Sequence, residues 1–519
     1  MTGQDNTLMG IDPVRFVARV TIECQTAVLV ADGSERKAHD QGFVRDVHGL
    51  PMIPGTSIAG LLSHAMTSVS DLEPDVLRPI AFGSTPVSGE MQTEDGGDPG
   101  ASTRSMASRL RVSDGYFHDA SDRPVDQDLG ELEEDEVTRL GRQGSHRDRV
   151  RINARGTADS RGKFDALLCP KGARFTFELE FVWGSPGEAE DEATRDPDIG
   201  KKIWDMLLSN LAGRQTRLGQ SVRSGYGAFR VVQVQEAIHW MPSNDVWGTI
   251  SRPGYCNAKL CDYLAVTGSF RTKPAHFAPS EIVAKDSTLG TIQLVDMCPE
   301  DTWYFGGGDP TEDEDITPVS EAVILWNAPP TNQPGYVSEA ICLVPASGIK
   351  GALRHRILWH LRRRNDCWME LESTENDPAN AVLKEMFGEV KNDAGSETAR
   401  PGVLFFDDLY LDSHSDVSFT HNVLDRFTSG VRAGLLFSEK TRIGGQLDGV
   451  KIEIDLAKAA RIDPHGRAAL MLALDDLCAG RLSLGGGVGR GHGAFSASLS
   501  LDAQVQDWFE NKRQDQVHG

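Results

Sequence analysis

The most constraining feature of this sequence is an ordered set of signals that occurs twice. A Pro-Gly-Thr-Ser turn begins an amphipathic helix at 54–66, and Pro-Ala-Ser-Gly begins another at 345–361. A Phe-Gly pair, a segment rich in Arg and Asp, and a glycine-rich loop follow in the same order in each half, with the loops at 219–227 and 485–493. Four signals in a fixed order, present twice, predict a duplicated domain, and repeated modules suit a repetitive ligand.

Length and composition indicate a globular protein with more than one domain. At 519 residues the chain exceeds what one core supports, so we predict domains at 1–235 and 285–519 joined by a linker at 236–284. No apolar run reaches the roughly 20 residues of a membrane span, and the polar segment 1–12 lacks a signal-peptide pattern. The eight cysteines form no Cys-x-x-Cys pair, so we expect neither a zinc site nor a disulfide framework, and a reducing, cytoplasmic setting.

Charge is distributed unevenly along the chain. The net charge is −23, which alone argues against a polyanionic ligand. Acidic residues concentrate in candidate insertions at 131–136, 188–198 and 309–315, whereas basic residues concentrate at 147–163 and 350–364. Because local potential and not net charge steers a ligand into a groove, the two basic segments are candidate contacts for a polyanion. Solvated faces of ordinary domains are the alternative.

Hydrophobic periodicity predicts the same order of elements in both halves. The first half alternates at 15–23 and 174–181, as half-buried strands do, and carries helical stripes after Pro54 and at 203–211. The second half repeats this order at 345–361, 452–456, 466–477 and 494–501. Strand, helix, strands, helix, strand is the ferredoxin-like order, which RNA-recognition motifs share. We therefore expect an α+β fold of two tandem modified ferredoxin-like domains. Polar segments predict loop insertions at 85–105, 117–145, 372–380 and 390–400.

The glycine-rich loops are candidate phosphate contacts. They lack Gly-Lys-Ser/Thr, and their spacing and their position after a helix differ from a dinucleotide fingerprint. Backbone N–H groups in such loops can still approach phosphates, and Arg223 and Arg490 would add positive charge. The alternative is a tight turn that needs positive φ.

The two predicted helix starts are a second kind of candidate anion site, because the first N–H groups of a helix attract anions. We expect Thr56 or Ser57 to cap the first helix. At the second helix start, Ser347 and Lys350 lie where phosphate contacts would form, and Arg354 extends the basic surface. Ordinary capped helices are the alternative.

Taken together, these segments resemble the RAMP proteins of type III CRISPR effectors. In the first half the resemblance rests on GFVRDVHGLPMIPGTSIAGLLSHA, RVRINARGTADSRGKF and RLGQSVRSGYGAFRV. In the second half it rests on LVPASGIKGALRHRI, HNVLDRFTSGVRAGLLFSEK and RLSLGGGVGRGHGAFSASL. The chain is similar to a fusion of two backbone subunits of the Cas-seven kind, as in III-D-like effectors.

The resemblance implies domains that grip RNA and a loop that cuts it. In that family each modified ferredoxin-like domain holds guide RNA by its backbone, and a thumb hairpin, here 153–167 and 428–437, displaces a base at intervals. The family's target-cleaving aspartate lies in the loop that Asp40 occupies here. A loop carboxylate can orient or deprotonate a 2′-hydroxyl, or hold a divalent cation such as Mg²⁺ or Mn²⁺. The neighbouring His39 can add acid–base help.

The second half departs from this pattern because its corresponding loop is much longer. Alignment with the first half puts Asn332 near the position of the aspartate. Asp309, Asp313 and Asp315 lie upstream and are further catalytic candidates. Whether the second half cleaves RNA stays open at this point.

These features predict a guide-RNA-binding backbone subunit of a type III effector that cleaves complementary target RNA with Asp40 and a divalent ion. The expected partners are guide RNA, target single-stranded RNA and other effector subunits, with no membrane. The expected RNA contacts are Thr56, Ser57, Arg147, Arg149, Arg151, Arg223, Ser347, Lys350, Arg354, Arg426 and Arg490. The alternatives are an inert RNA-binding backbone, a guide-processing endoribonuclease that uses His39 or His421, and a tandem RNA-recognition protein outside CRISPR systems.

Overall fold

A computed structural model of the chain describes most of both halves. The described residues are 14–33, 39–69, 72–84, 107–125, 135–153, 157–183, 197–240, 289–327, 334–364, 378–389, 400–411 and 415–510. The predicted linker lies outside these ranges beyond Trp240, as do the predicted loop at 85–105 and most of those at 372–380 and 390–400. The predicted domain boundaries therefore stay predictions.

The first half contains an antiparallel sheet with helices packed against it. Its elements are β1 (Val14–Cys24), β2 (Met52–Ile53), α1 (Gly55–His64), α2 (Pro74–Phe82), β3 (Leu110–Val112), β4 (Gly115–Phe117), α3 (Glu136–Gln143), β5 (Ser145–Ile152), β6 (Ala158–Leu168), β7 (Arg174–Trp183), α4 (Pro197–Leu211) and β8 (Phe229–Trp240). The sheet order is β2-β4-β7-β1-β8, with β3 also paired to β7, while β5 and β6 form a separate hairpin.

The apolar residues that alternate along β1 lie in the core of the first half. Phe16, Ala18, Val20 and Ile22 are each at most 3% exposed and belong to the core of the first half. Ile58 and Leu62, one helical turn apart on α1, reach the same core. Val17, Thr21 and Glu23 on the other face of β1 are also at most 8% exposed, so this central strand is more buried than the half-buried strand that the alternation predicted. The α+β class is confirmed.

The second half contains more short strands. Its elements are β9 (Leu289–Pro299), β10 (Gly306–Gly308), β11 (Thr317–Pro318), β12 (Ser320–Glu321), β13 (Ile324–Trp326), β14 (Gly335–Val337), β15 (Ile341–Val344), α5 (Ala346–Arg364), α6 (Pro378–Phe387), β16 (Gly388–Glu389), β17 (Arg400–Pro401), β18 (Leu404–Phe406), β19 (Leu409–Leu411), β20 (Ser415–His421), β21 (Phe437–Ile443), β22 (Lys451–Asp455), α7 (Leu456–Ala459), α8 (Pro464–Cys478), β23 (Phe495–Leu501) and α9 (Ala503–Glu510).

The two halves share a sheet topology. The order β4-β7-β1-β8 in the first half corresponds to β18-β22-β9-β23 in the second, with the first strand of each half between its last two. The hairpin β5–β6 likewise corresponds to β20–β21, each with its long arms paired antiparallel. The topology therefore repeats along the chain, as the duplicated sequence signals predicted.

The glycine-rich loops repeat at the level of single hydrogen bonds. In the first half Gln220 N–H donates to the Leu29 carbonyl (2.8 Å), and Gly227 N–H donates to the Ala27 carbonyl (3.0 Å). Gly486 and Gly493 make the same bonds to Tyr304 and Thr302, at 2.8 and 3.0 Å. The glycines Gly219, Gly227, Gly485 and Gly493 all have positive φ, and a Cβ on any of them would collide with backbone of the same half. The tight-turn alternative accounts for these four glycines without a ligand.

Two local predictions are wrong. Helix α1 has Pro54 at its N-cap, two residues before Thr56, and no side-chain cap, so neither Thr56 nor Ser57 caps it. The carboxylate of Asp114 instead accepts the N–H of Gly55 at 2.8 Å from a distant loop. The segment 117–145 is not only a loop, because it contains α3, which Asp135 caps in a capping box. Among the described helices, none combines the length and apolar character that crossing a bilayer requires.

Candidate nucleic-acid interface

Basic side chains from both halves meet where the halves contact each other. Arg149 and Arg151 lie on β5, Arg223 lies in the first glycine-rich loop, and Lys350 and Arg354 lie on α5. We call these five side chains the cationic junction. The pKa of Lys350 is lowered to about 8, first by loss of hydration and then by the positive charges of Arg223 and Arg149. The pKa of Arg354 is lowered by desolvation and then by the charge of Arg151.

The contacts that hold the cationic junction leave its charge largely uncompensated. The Arg149 guanidinium lies over the Tyr226 ring at 4.0 Å. Arg223 Nε donates to the Gly402 carbonyl at 2.6 Å, and Lys350 Nζ contacts Ser224 Oγ at 3.0 Å. Within the described part of the chain, a carboxylate forms a salt bridge with Arg151 alone of the five, at 3.9 Å. Like charges that depress one another's pKa favour an anion between them.

Arg147, which the sequence placed among the RNA contacts, is buried between the halves. It is 4% exposed, and its guanidinium pairs with Glu321 (Nη2–Oε2 2.7 Å) and with Asp408. Desolvation alone would lower the pKa of Arg147, but attraction to Asp408 and Glu321 outweighs it and raises that pKa well above its usual value. Arg147 shares a strand face with Arg149 but lies nearer the base of the hairpin, where the second half covers β5. We therefore assign it to the contact between the halves and not to an RNA surface.

Further contacts fix the two halves against each other. Arg217, 9% exposed, pairs with Asp407 and with Glu453 (Nη2–Oε2 3.1 Å) in the second half. Trp326 Nε1 donates to the Gly172 carbonyl at 2.7 Å, and Ile324 is buried in the core of the first half. With these contacts the cationic junction is one surface, although its side chains come from segments 200 residues apart in the chain.

The other expected RNA contacts are not part of the cationic junction. Thr56 is exposed and Ser57 half-buried at the start of α1, and Ser347 is half-buried at the start of α5. Arg426 is exposed in the segment between β20 and β21. Arg490 pairs with Glu439 and donates to the Tyr304 hydroxyl at 3.1 Å, so part of its charge is already neutralised.

Both hairpins carry exposed apolar side chains. On β5 and β6, Val150 and Phe164 are 46% and 41% exposed. In the segment between β20 and β21, Leu424 is 57% and Phe427 is 97% exposed. The predicted thumb at 153–167 lies on the first hairpin and the one at 428–437 begins directly after Phe427, and exposed apolar groups of this kind can contact bases.

Asp40 is fixed to the first hairpin by reciprocal hydrogen bonds. Its backbone N–H donates to Asp165 Oδ1 at 2.9 Å, and the backbone N–H of Asp165 donates to Asp40 Oδ2 at 3.0 Å. The next residue along, Gln41, forms a parallel bridge with Ala166. The exposed Asp40 carboxylate therefore has a defined position at the base of the β5–β6 hairpin.

Two histidines converge on the carboxylate that holds Asp40. His39 Nδ1 lies 2.7 Å and His146 Nε2 lies 3.1 Å from Asp165 Oδ2. The pKa of Asp165 is well below its usual value, first because the Asp40 N–H donates to it and then because both histidines do. His39, His146 and Asp165 bring one ligand atom each within 4.8 Å of one another, and Asp40 is not part of this group.

The second half repeats the backbone of this site around Asp315. The backbone N–H of Ser438 donates to Asp315 Oδ2 at 2.8 Å, and Ile316 forms a parallel bridge with Glu439. Asp315 thus corresponds to Asp40, and Ser438 to Asp165. By the same register Glu314 and Ser418 stand at the positions of His39 and His146, and they bond to each other at 2.9 Å. The histidines and the second aspartate have no counterparts there.

The remaining second-half candidates are placed differently. The Asp309 carbonyl accepts a bond from Thr317 Oγ1 at 2.8 Å, and the Asp313 carbonyl accepts one from Ser438 Oγ at 2.6 Å, so both contribute backbone contacts to this region. Asn332 lies outside the described residues. His421 contacts Glu439, 0% exposed, at 2.8 Å, a carboxylate that His492 and Arg490 also contact.

Comparison with known protein families gives one match. The model of the RAMP superfamily matches residues 21–230 and 339–496, one region in each half and together more than half of the chain. This chain belongs to the RAMP superfamily. No curated protein matches it. RAMP proteins bind RNA within CRISPR complexes, so the match supports a CRISPR-associated RNA-binding subunit. The two matched regions fit a tandem RAMP fusion.

Sequence reasoning about this RAMP protein missed His146 and Asp165. Asp165 lies 126 positions from His39, and the bridge between Gln41 and Ala166 brings it to the loop, while the pairing of β5 with β6 brings it near His146. The register of the β5–β6 hairpin could have identified His146, because His146 and Leu167 are paired positions in the antiparallel ladder. A predicted hairpin drawn out in register would have put His146 next to residues 165–167.

Proposed function

We propose that this RAMP protein is a two-domain backbone subunit of a type III CRISPR effector, which binds guide RNA along both halves and cleaves guide-paired target RNA in its first half. We also propose that each half is a modified ferredoxin-like domain. The strand order β8-β1-β7-β4, in which the first strand lies between the third and the fourth of that motif, supports this proposal.

The observation that carries the proposed guide binding is the cationic junction. Four of its side chains form no salt bridge with a carboxylate among the described residues, and Lys350 has a pKa lowered to about 8. Asp408 and Asp455 attract Arg149 and Arg223 without forming salt bridges with them. Arginine and lysine side chains held together with so few ion pairs match the phosphates of a nucleic-acid backbone, which carry no sequence information. The exposed Phe427 in the second hairpin offers a ring on which a base can stack.

For target cleavage we propose Asp40 as the catalytic residue. Its exposed carboxylate keeps one oxygen bonded to the Asp165 N–H, which orients the group toward a substrate without neutralising it. A carboxylate in this position can accept the proton of a ribose 2′-hydroxyl as that oxygen attacks the adjacent phosphate. A divalent cation, Mg²⁺ or Mn²⁺, would stabilise the charge that develops on the phosphate, and Asp40 is a suitable oxygen ligand for it.

Cleavage by the assembled, guide-loaded effector tests this proposal. Asp40→Ala should keep guide and target binding and lower the rate of one cut by about 100-fold or more. Products should carry a 2′,3′-cyclic phosphate, and chelation of divalent ions should stop the reaction. A complete wild-type cleavage ladder from the Asp40→Ala complex would exclude Asp40.

Asp315→Ala is the matched variant in the second half, because Asp315 has the same backbone partners as Asp40. Loss of a different cut in this variant would show that both halves cleave. An unchanged ladder would show that Asp315 alone is insufficient. If neither variant changes any cut while guide binding is normal, the chain is an inert backbone subunit.

A further inference from the structure

We propose that His39, His146 and Asp165 bind one divalent transition-metal ion per chain, beside Asp40. The site lies where the 39–41 segment meets the base of the β5–β6 hairpin, so its ligands come from a loop and two strands. Its part in cleavage rests on the proposed function, whereas its metal binding does not.

The distances between the three ligand atoms are compatible with a single shared metal ion. Ligand atoms of one zinc ion lie about 2.0–2.2 Å from the metal, so neighbouring ligand atoms are about 3.0–3.6 Å apart. His39 Nδ1 and His146 Nε2 lie 2.7 and 3.1 Å from the same oxygen, Asp165 Oδ2. Outward movements of a few tenths of an ångström would open a coordination position between the three atoms, and the side chains, 27%, 43% and 20% exposed, have room for them.

The surroundings favour metal ligation by Asp165. Its other oxygen, Oδ1, is already used by the Asp40 N–H, which orients the carboxylate so that Oδ2 faces the two imidazoles. Such outer hydrogen bonds to a ligating carboxylate are typical of metal sites. Asp148 approaches His146 only at 3.8 Å and is held by Lys163 Nζ at 2.9 Å, so it does not replace Asp165 as the partner.

The donor set selects the kind of ion. Imidazole nitrogen suits zinc, copper, iron and nickel, whereas Mg²⁺ and Mn²⁺ prefer oxygen ligands. Two imidazoles and one carboxylate leave coordination positions open for water or an RNA phosphate oxygen. His39 would then act as a metal ligand and not as a general acid or base.

The second half provides an internal control. Its corresponding residues, Glu314, Ser418 and Ser438, include no imidazole, and Glu314 and Ser418 bond to each other. The proposal therefore predicts one high-affinity ion per chain, although the chain contains two copies of the same backbone framework.

Metal binding by the full chain tests this. Protein stripped with a chelator is titrated with Zn²⁺ or Ni²⁺ alone, with calorimetry for affinity and elemental analysis for stoichiometry. We expect one tightly bound ion, not displaced by a hundredfold excess of Mg²⁺, and a rise in the unfolding temperature with added metal. His146→Ala should weaken binding by at least about 100-fold, the upper end of the cost of losing even an outer hydrogen-bond partner.

Three further variants make the result decisive. Ser418→Ala, at the position of His146 in the second half, should leave the stoichiometry and affinity unchanged. His146→Gln serves if the alanine variant unfolds, since it keeps the size and polarity of the side chain. Asp40→Ala should retain the ion, because the backbone N–H of residue 40 still holds Asp165, while the one cut assigned to Asp40 is slowed. No tight ion in the wild type, or equal affinity in wild type and both His146 variants, would overturn the proposal and leave Asp165 as a hydrogen-bonding partner of the two histidines.

Discussion

Replacing Arg147 with methionine should destabilise the contact between the halves and leave RNA binding of the folded protein intact. The Arg147 side chain is 5% exposed, and its partners Glu321 and Asp408 are 4% and 1% exposed. Methionine fills much of the space of the arginine stem but removes the charge. Two buried carboxylates that shared one guanidinium would then face each other without a counter-ion.

The expected magnitude follows from this burial. Breaking a buried ion pair by removing one partner costs about 3–5 kcal/mol, because the remaining charge stays desolvated. For a domain of about 150–250 residues this corresponds to a fall of about 6–20 °C in the unfolding midpoint. Burial already raises the pKa of Asp408 against the pull of Arg147, and removal of Arg147 raises it further. The loss of stability should therefore grow as pH rises and shrink as pH falls and Asp408 takes up a proton.

Thermal and urea unfolding of the full chain at pH 8 and pH 5.5 measure this effect. Arg151→Met is the matched control, because Arg151 lies on the same strand with its side chain 75% exposed, and its unfolding should change by no more than about 0.5 kcal/mol. Below its unfolding transition, Arg147→Met should bind guide RNA like the wild type. Unchanged stability together with weaker guide binding would refute the structural assignment and restore Arg147 to the RNA surface.

Further predictions concern the cationic junction and the loops. Guide affinity should fall as pH rises from 7 to 9, because phosphates bind protonated Lys350, whose pKa is about 8, and Lys350→Arg should remove this dependence; a pH-independent affinity in the wild type would contradict it. Replacing Arg149, Arg151 and Arg354 together with glutamine should lower the slope of log affinity against log salt by about 2, since each single-strand phosphate contact contributes about 0.7. An unchanged slope would place the RNA elsewhere. Gly485→Ala should destabilise the second half by at least about 1 kcal/mol in thermal unfolding, because positive φ and the Tyr304 carbonyl both oppose a Cβ.

Local sequence patterns correctly predicted features that depend mainly on residues close together in the chain. The alternation of Phe16, Ala18, Val20 and Ile22 predicted the face of β1 that lies in the core of the first half. The two glycine-rich loops resemble each other because each packs against backbone of its own half, where a Cβ would collide. The N-cap of α1 was mispredicted because its partner, Asp114, lies 59 positions away. Arg147 was predicted to contact RNA together with Arg149 and Arg151, because the sequence contains no information about how far along β5 the second half extends.

The candidate site was also predictable only in part, because some of its residues are distant from one another in the sequence. Asp40 and His39 adjoin a recognisable motif, whereas Asp165 joins them through strand pairing. The absence of Cys-x-x-Cys pairs predicted no zinc site, but that argument does not reach ligands built from histidine and carboxylate on separate segments. The sequence also could not show that Asp315, and not a residue near Asn332, accepts the hairpin N–H bond that Asp40 accepts in the first half.

Because the chain contains two copies of the same framework, the role of the aspartate and the role of the histidine–aspartate group can be tested separately in one molecule. Both halves hold an aspartate at the base of a hairpin by the same backbone contacts, but only the first surrounds it with His39, His146 and Asp165. If the aspartate alone suffices for cleavage, Asp40 and Asp315 should each account for one cut. If the histidine–aspartate group is required, the second half should not cleave RNA in the wild type. It should gain cleavage when Glu314 and Ser418 are replaced by histidine and Ser438 by aspartate. Gain of both a second bound ion and a second cut in that triple variant would tie the metal group to the reaction, whereas gain of the ion without the cut would confine it to metal binding.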